Sequence, residues 1–163
     1  MKGYYNRPDL TQEVIDEKGW FHTGDLGRID PNGFLYITGR IKNLIVLGGG
    51  KKIHPEEVEA VLSRGSTVKE TCVVGWMSRS GIKEGTEEVC AVVVPSDALR
   101  QQGMDNPKIV EKAIEEEFGQ LAKDLAPYKR PSKIFIYLEE LPKTATRKVK
   151  RTLVQEWLKR QEV

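Results

Sequence analysis

Two runs, Thr71-Cys72-Val73-Val74-Gly75-Trp76 and Val89-Cys90-Ala91-Val92-Val93-Val94, are apolar at almost every position. A strand with one wet face alternates apolar and polar residues, so unbroken runs of this length suit strands covered on both faces. The polar stretch between them, residues 77–86, predicts an antiparallel pair. Asn106-Pro107 opens a helix whose Val110, Ile114, Phe118, Leu121 and Leu125 recur every three or four positions, with acids and lysines between them, so it covers one face of the sheet. A shorter helix starts at Pro55, where proline is tolerated at the first helical position and Glu56 and Glu57 favour the amino end; Val58, Val61 and Leu62 then share a face. Residues 134–138 read as a further core strand. Leu153, Val154, Trp157 and Leu158 mark an amphipathic closing helix. The order of elements implies an α+β fold: a small antiparallel-rich sheet of about three core strands flanked by helices.

The opening segment has another character. Gly3, Asn6-Arg7-Pro8, Lys18-Gly19, Gly24, Gly27, Asp30-Pro31-Asn32-Gly33 and Gly39 make turns follow one another closely. Residues 26–29 and 34–37 flank Asp-Pro-Asn-Gly, a composition that favours a tight reversal, and so predict a β-hairpin ahead of the main sheet. Residues 44–47 form a short apolar strand ended by Gly48-Gly49-Gly50. The change of character near residues 39–42 divides the chain into a segment 1–40 and a domain 41–163.

A chain of 163 residues has room for one domain with a real core, or for a small domain plus a segment of a neighbour. No uninterrupted apolar stretch approaches the roughly 20 residues that cross a bilayer. Residues 1–10 lack the pattern of a secretory signal, and Cys72 and Cys90 sit singly inside apolar runs, as buried thiols do; a reducing cytoplasm is the default compartment. His22 and His54 have no ligand spacing around them, so no metal site is expected from this chain alone. The net charge of +2 conceals a cluster, Lys143, Arg147, Lys148, Lys150 and Arg151. Such a cluster wants an anion. Nucleic acid is one candidate, but the cluster has no interleaved aromatics and both signs alternate elsewhere; a small phosphate ligand is equally allowed by composition, and a non-catalytic basic binding domain is the rival of another class.

Three places carry candidate chemistry. In Thr23-Gly24-Asp25-Leu26-Gly27 the flanking glycines bring the backbone close to whatever Asp25 faces; its carboxylate suits a ribose diol, while local chemistry alone favours a turn residue. Gly39-Arg40-Ile41-Lys42, with the triple glycine and Lys51-Lys52 beyond, does not match GxxxxGK[ST], because no Ser or Thr follows the lysines. The loop Pro142-Lys143-Thr144-Ala145-Thr146-Arg147-Lys148 reads locally as a solvated basic surface.

Taken together, these segments stop looking independent. GWFHTGDLGRID, then GFLYITGRIKNLIVLGGGKKIHPEEVEAVL, then APYKRPSKIFIYLEELPKTATRKVKR resemble, in order and spacing, three signatures of the adenylate-forming (AMP-binding) superfamily, which comprises acyl-CoA synthetases, luciferases and peptide-synthetase adenylation domains. The resemblance runs from Gly3 onward and is strongest to long-chain fatty-acid–CoA ligases. It implies that residues 1–40, opening on GYYNRPDLT, are the end of the family's large amino-terminal adenylation domain, and that residues 41–163 are its small carboxy-terminal domain. The phosphate loop and acyl pocket of the family belong far upstream, so the isolated chain is expected to be inactive. ATP, CoA and Mg²⁺ are implied, with the metal held mainly by the large domain. The implied partners are that domain, a carboxylic acid and CoA, with peripheral membrane association open to the parent and no nucleic acid.

By the same resemblance, Asp25 and Arg40 match the residues that hold the adenylate ribose, and Lys42 the pivot about which the small domain rotates. Gly48 and Gly49 fall in the loop that faces the pantetheine channel, and Lys148 matches the lysine that completes the adenylation site. An adenylation module that loads a phosphopantetheine carrier protein would use the same face. The pattern departs in two places. Arg147 stands where the signature carries glycine, which implies a less permissive or differently turned loop. Val46 stands where luciferase-like and plant ligases carry lysine, which argues against those subfamilies.

Overall fold

The computed structural model describes residues 1–77, 85–102 and 106–161, divided between two compact units, Met1–Lys42 and Asn43–Val163. In the first unit, helix α1 (Pro8–Val14) carries proline in its first turn and has no fully buried residue; only Leu10 and Val14, both half-buried, mark an apolar side. Strands β1 (Asp25–Ile29) and β2 (Leu35–Arg40) pair antiparallel, as the Asp-Pro-Asn-Gly reversal predicts. Their register slips after Leu26, which opposes Gly39, to Gly27, which opposes Ile37. Thr38 is left over as a bulge, and its hydroxyl donates to the Leu26 carbonyl at 3.2 Å. Gly27 permits this: a Cβ there would stand 2.9 Å from the Tyr36 carbonyl oxygen. The unit has no buried hydrophobic side chain, and Trp20, Phe34, Leu35 and Ile37 are all more than 60% exposed.

The second unit opens with β3 (Ile45–Val46), antiparallel to β4 (Lys52–Ile53). Next come α2 (Pro55–Leu62), β5 (Val68–Met77), β6 (Glu87–Pro95), α3 (Asp97–Gln102), α4 (Pro107–Leu121), β7 (Lys133–Ile136) and α5 (Arg151–Gln161). The main sheet has the order β5-β6-β7, with β6 antiparallel to β5 and parallel to β7. The path from β6 to β7 runs through α3 and α4, the kind of long crossover that parallel neighbours require. The polar loop expected between β5 and β6 lies largely outside the described residues, since 78–84 are not among them.

The central position of β6 explains its apolar run. Ala91 and Val93 join Val58, Leu62, Ile114 and Phe118 in one buried cluster, while Cys90, Val92 and Val94 join Trp76, Val154 and Leu158 in the other. The Trp157 ring meets Phe135 and Tyr137 edge-on, with centroids 6.4 and 4.8 Å away. Both cysteines are buried thiols, and burial pushes Cys72 up to about 12, so it stays protonated. Helix α4 is capped by Asn106, whose side chain accepts from Lys108 N at 3.2 Å. It stops at Leu121, and Leu125 follows a separate turn but remains in the core. The mixed architecture is the expected α+β fold. No helix among the described residues is long and apolar enough to cross a membrane.

Candidate functional site

In the first unit the β1–β2 register sets Asp25 opposite Arg40, and the Arg40 Nε lies 2.9 Å from the Asp25 Oδ1. Gly24, with φ of 72°, lets the chain turn into β1 and bring its carbonyl to the Ile41 N–H at 2.9 Å. Asp25 and Arg40 are therefore locked at one end of the hairpin, with side chains 28% and 56% exposed. That geometry can present a carboxylate and a guanidinium together to vicinal hydroxyls. Lys42 is exposed, lies in the short 3-10 turn Ile41–Asn43 and ends the first unit.

Gly48, Gly49 and Lys148 belong to the second unit, on two loops of identical build. In residues 47–51 the Leu47 N–H donates to the Lys51 carbonyl at 3.0 Å and the Gly50 N–H to the Leu47 carbonyl at 2.8 Å. In residues 144–148 the Thr144 N–H donates to the Lys148 carbonyl at 2.8 Å and the Arg147 N–H to the Thr144 carbonyl at 2.9 Å. Residues 16–20 and 30–34 repeat the same pair of bonds. Each loop is a three-residue hairpin whose third residue takes positive φ: Gly19, Gly33, Gly50 and Arg147. Residues 16–19 and 30–33 share Asp-x-x-Gly, whereas at 144–147 Thr144 stands in place of Asp and Arg147 in place of Gly. The Thr144 hydroxyl nevertheless accepts the Lys148 N–H at 3.1 Å, as the Asp16 and Asp30 carboxylates accept from Trp20 and Phe34 at 2.8 and 2.9 Å. The arginine thus leaves the turn in the left-handed form that a glycine would favour. Lys148 stands exposed at its end.

The basic cluster around this loop is divided by the fold. Lys143 Nζ lies 2.6 Å from Glu70 Oε1, and the same carboxylate accepts the Leu141 N–H. Arg151 forks onto Glu59, reaches the Val73 carbonyl at 2.6 Å and lies 3.4 Å from Glu56, which also accepts from Asn43 at 2.8 Å. Burial opposes the Arg151 charge, but the hydrogen bonds and charge of Glu59 outweigh it and raise its pKa above the ordinary value. Two of the cations that the sequence grouped together are therefore anchors of the hairpin base, while Arg147, Lys148 and Lys150 are exposed. These pairings carried no sequence signal, because Glu70 comes from β5 and Glu56 and Glu59 from α2. Among the described residues no group of three or more His, Cys, Asp or Glu could hold a metal ion.

The model of the AMP-binding enzyme C-terminal domain matches residues 57–148. The chain belongs to that family. A malonate–CoA ligase of Arabidopsis thaliana is 36% identical over 99% of the chain, and a long-chain-fatty-acid–CoA ligase of Mycobacterium tuberculosis is 35% identical over 96% of it. The chain spans about a quarter of these relatives, 26% and 27% of their lengths. Among solved structures, the adenylation domain of a carboxylate reductase from Mycobacterium chelonae superimposes with a TM-score of 0.83 at 25% identity, over 98% of this chain and 25% of that one. Relatives of this AMP-binding C-terminal domain thus act on different acids at almost equal identity.

Proposed function

We propose that this chain is the carboxy-terminal part of an ATP-dependent acid–CoA ligase. The whole enzyme would join a carboxylic acid to ATP as an acyl-adenylate, releasing pyrophosphate, and then pass the acyl group to the CoA thiol, releasing AMP. The observation that carries the reading is the Asp25–Arg40 pair, held at 2.9 Å one residue before the turn that ends the first unit. Asp25 and Arg40 would hold the ribose hydroxyls. Lys148, exposed at the end of its hairpin, would neutralise charge where the carboxylate meets the α-phosphate. Mg²⁺ would travel with the nucleotide phosphates, held mainly by the large domain, and would lower the charge that the attacking carboxylate meets. Rotation about Lys42 would then carry Lys148 away and bring the loop of Gly48 and Gly49 toward the thiol.

Residues 1–42 fit the end of a large domain for a physical reason. A segment with no buried side chain of its own, and with Trp20, Phe34, Leu35 and Ile37 exposed, has its packing partner elsewhere. For the acid we favour a long-chain fatty acid, supported by the resemblance of residues 39–59 to ligases of that class and by the M. tuberculosis relative. A second reading, a module that delivers the acyl group to a carrier-bound phosphopantetheine, is supported by the likeness to a carboxylate reductase's adenylation domain. The test uses the full-length protein that contains this chain. Pyrophosphate exchange is measured across malonate and fatty acids of several lengths, and acyl transfer is measured to CoA and to a phosphopantetheinylated carrier. Exchange with a long-chain acid followed by transfer to CoA is expected. Exchange with no acid, or transfer to the carrier alone, overturns the ligase reading.

A further inference from the structure

Glu87 opens β6 and reaches out of its own sheet: its Oε2 accepts the Val46 N–H at 2.8 Å, across a sequence separation of 41. To arrive there the side chain passes directly over Gly75 of β5. A Cβ at Gly75 would lie 1.8 Å from the Glu87 Oε1 and 2.4 Å from its Cδ, so any side chain at that position would expel the carboxylate. The preceding residue makes a matching contact. The Thr86 methyl carbon lies 2.8 Å from the place a Cβ on Gly48 would take. Residues 86 and 87 therefore grip the β3–loop segment at two points, the backbone of Val46 and the flank of Gly48. The opposite edge of β3 is paired to β4, and the hairpin of Gly48 and Gly49 projects from this clamped strand. A carboxylate on a backbone N–H is a charge-assisted bond, shorter and stronger than a neutral one.

We propose that Glu87 is a positioning residue for acyl transfer, acting through Val46 to fix the glycine loop in the shape that receives the thiol-bearing pantetheine arm. The proposal rests on the ligase reading above, and specifically on the loop's role toward CoA. Glu87 touches neither substrate nor nucleotide in this account; it sets the height and tilt of the loop, and Gly75 is glycine because the carboxylate needs the room.

The experiment uses the full-length enzyme and reads three quantities: the melting midpoint, acid-dependent pyrophosphate exchange, and the KM for CoA when pre-formed acyl-adenylate is supplied. Glu87→Ala and Gly75→Ala should each raise the KM for CoA about tenfold while exchange stays within about twofold, since a lost charged hydrogen bond is of that size. Glu87→Gln should recover most of the loss, because its amide oxygen can still accept from Val46. Gly48→Ala, which forces Thr86 aside, serves as the marker for the loop's role and should also raise the KM for CoA. If Gly48→Ala raises it and neither Glu87→Ala nor Gly75→Ala does, Glu87 has no positioning role and the ligase reading stands. If Gly48→Ala leaves it unchanged, the loop does not serve the thiol and the proposal falls with that part of the reading. A parallel fall in exchange and transfer makes Glu87 merely structural and also overturns it. Should Glu87→Ala fail to fold, Gly75→Ala against Glu87→Gln decides between the same outcomes.

Discussion

Arg147 occupies in residues 144–148 the place that Gly50 occupies in residues 47–51, with φ of 60° against 75° and the same two backbone hydrogen bonds closing each loop. A side chain in the left-handed region costs about 1–2 kcal/mol, whereas a glycine there costs roughly 0.5–1 kcal/mol through the entropy of the unfolded chain. Arg147→Gly should therefore leave the chain as stable as before or stabilise it by up to about 1 kcal/mol. Arg147→Val, β-branched and ill suited to positive φ, should destabilise it by at least about 1 kcal/mol. Denaturant unfolding of both variants is the check, and a clear loss of stability in Arg147→Gly contradicts the turn described here.

Lys143 and Lys148 are neighbours in sequence with different occupations. Lys143 is engaged by Glu70, with side chains only 30% and 15% exposed, so Lys143→Ala should lower stability by about 1 kcal/mol and leave adenylation in the full-length enzyme almost unchanged. Lys148→Ala should do the reverse. A positioned cation on developing charge contributes about 3–4 kcal/mol, a hundredfold to a thousandfold in pyrophosphate exchange. Transfer from pre-made acyl-adenylate to CoA should be nearly untouched. Selective loss of exchange in Lys143→Ala or Arg147→Ala, with Lys148→Ala near normal, would reassign the charge.

Lys42 ends the first unit within a one-turn 3-10 segment. Proline there restricts φ to about −65°, which should hinder rotation more than folding. In the full-length enzyme Lys42→Pro is expected to keep pyrophosphate exchange and to lose thioester formation. Equal loss in both half-reactions would put the pivot at another residue.

Glu117 of α4 accepts from the Ser66 and Thr67 N–H groups at 2.8 and 2.9 Å and from both hydroxyls, tying α4 to the segment that leads into β5. Burial opposes its charge, but these four donors outweigh burial and hold its carboxyl below the ordinary 4.5. A carboxylate with a lowered folded-state pKa contributes stability above its unfolded-state value, and that contribution drains away as pH falls from about 4.5 through the folded value. Glu117→Gln should accordingly cost about 1–2 kcal/mol at pH 7 and progressively less below pH 4.5. A cost independent of pH would mean that the oxygen positions matter and the charge does not.

The isolated chain should form neither acyl-adenylate nor acyl-CoA, because Asp25, Arg40 and Lys148 are not by themselves a phosphate or acyl site. Within it, amides of Met1–Lys42 should exchange with solvent much faster than those of β5 and β6, since only the second unit has a buried hydrophobic core. Hydrogen exchange read by mass spectrometry tests this, and equal protection in both units refutes it.

Local chemistry made much of this protein legible from its residues in order. The apolar runs at 71–76 and 89–94, the proline and two acids at 55–57, and the three- and four-residue recurrence from Val110 each report a neighbour that must cover them, so strands, helices and the α+β class followed. The Asp-Pro-Asn-Gly turn located the hairpin, and the resemblance of three ordered motifs to the family's signatures, not local chemistry, singled out Asp25, Arg40, Lys42, Gly48, Gly49 and Lys148 as candidates. Tertiary structure alone decided which charges are already spent and which backbone groups are held from afar. Glu70 takes Lys143, Glu59 takes Arg151, and Glu87 crosses Gly75 to reach Val46; these partners are separated by 73, 92 and 41 residues. No periodicity records such pairs, because their geometry arises only when β5, β6 and α2 are packed together. The short helix α1 was hidden for another reason: in seven residues it has only Leu10 and Val14 to mark a face, too few to stand out among the turn residues around it.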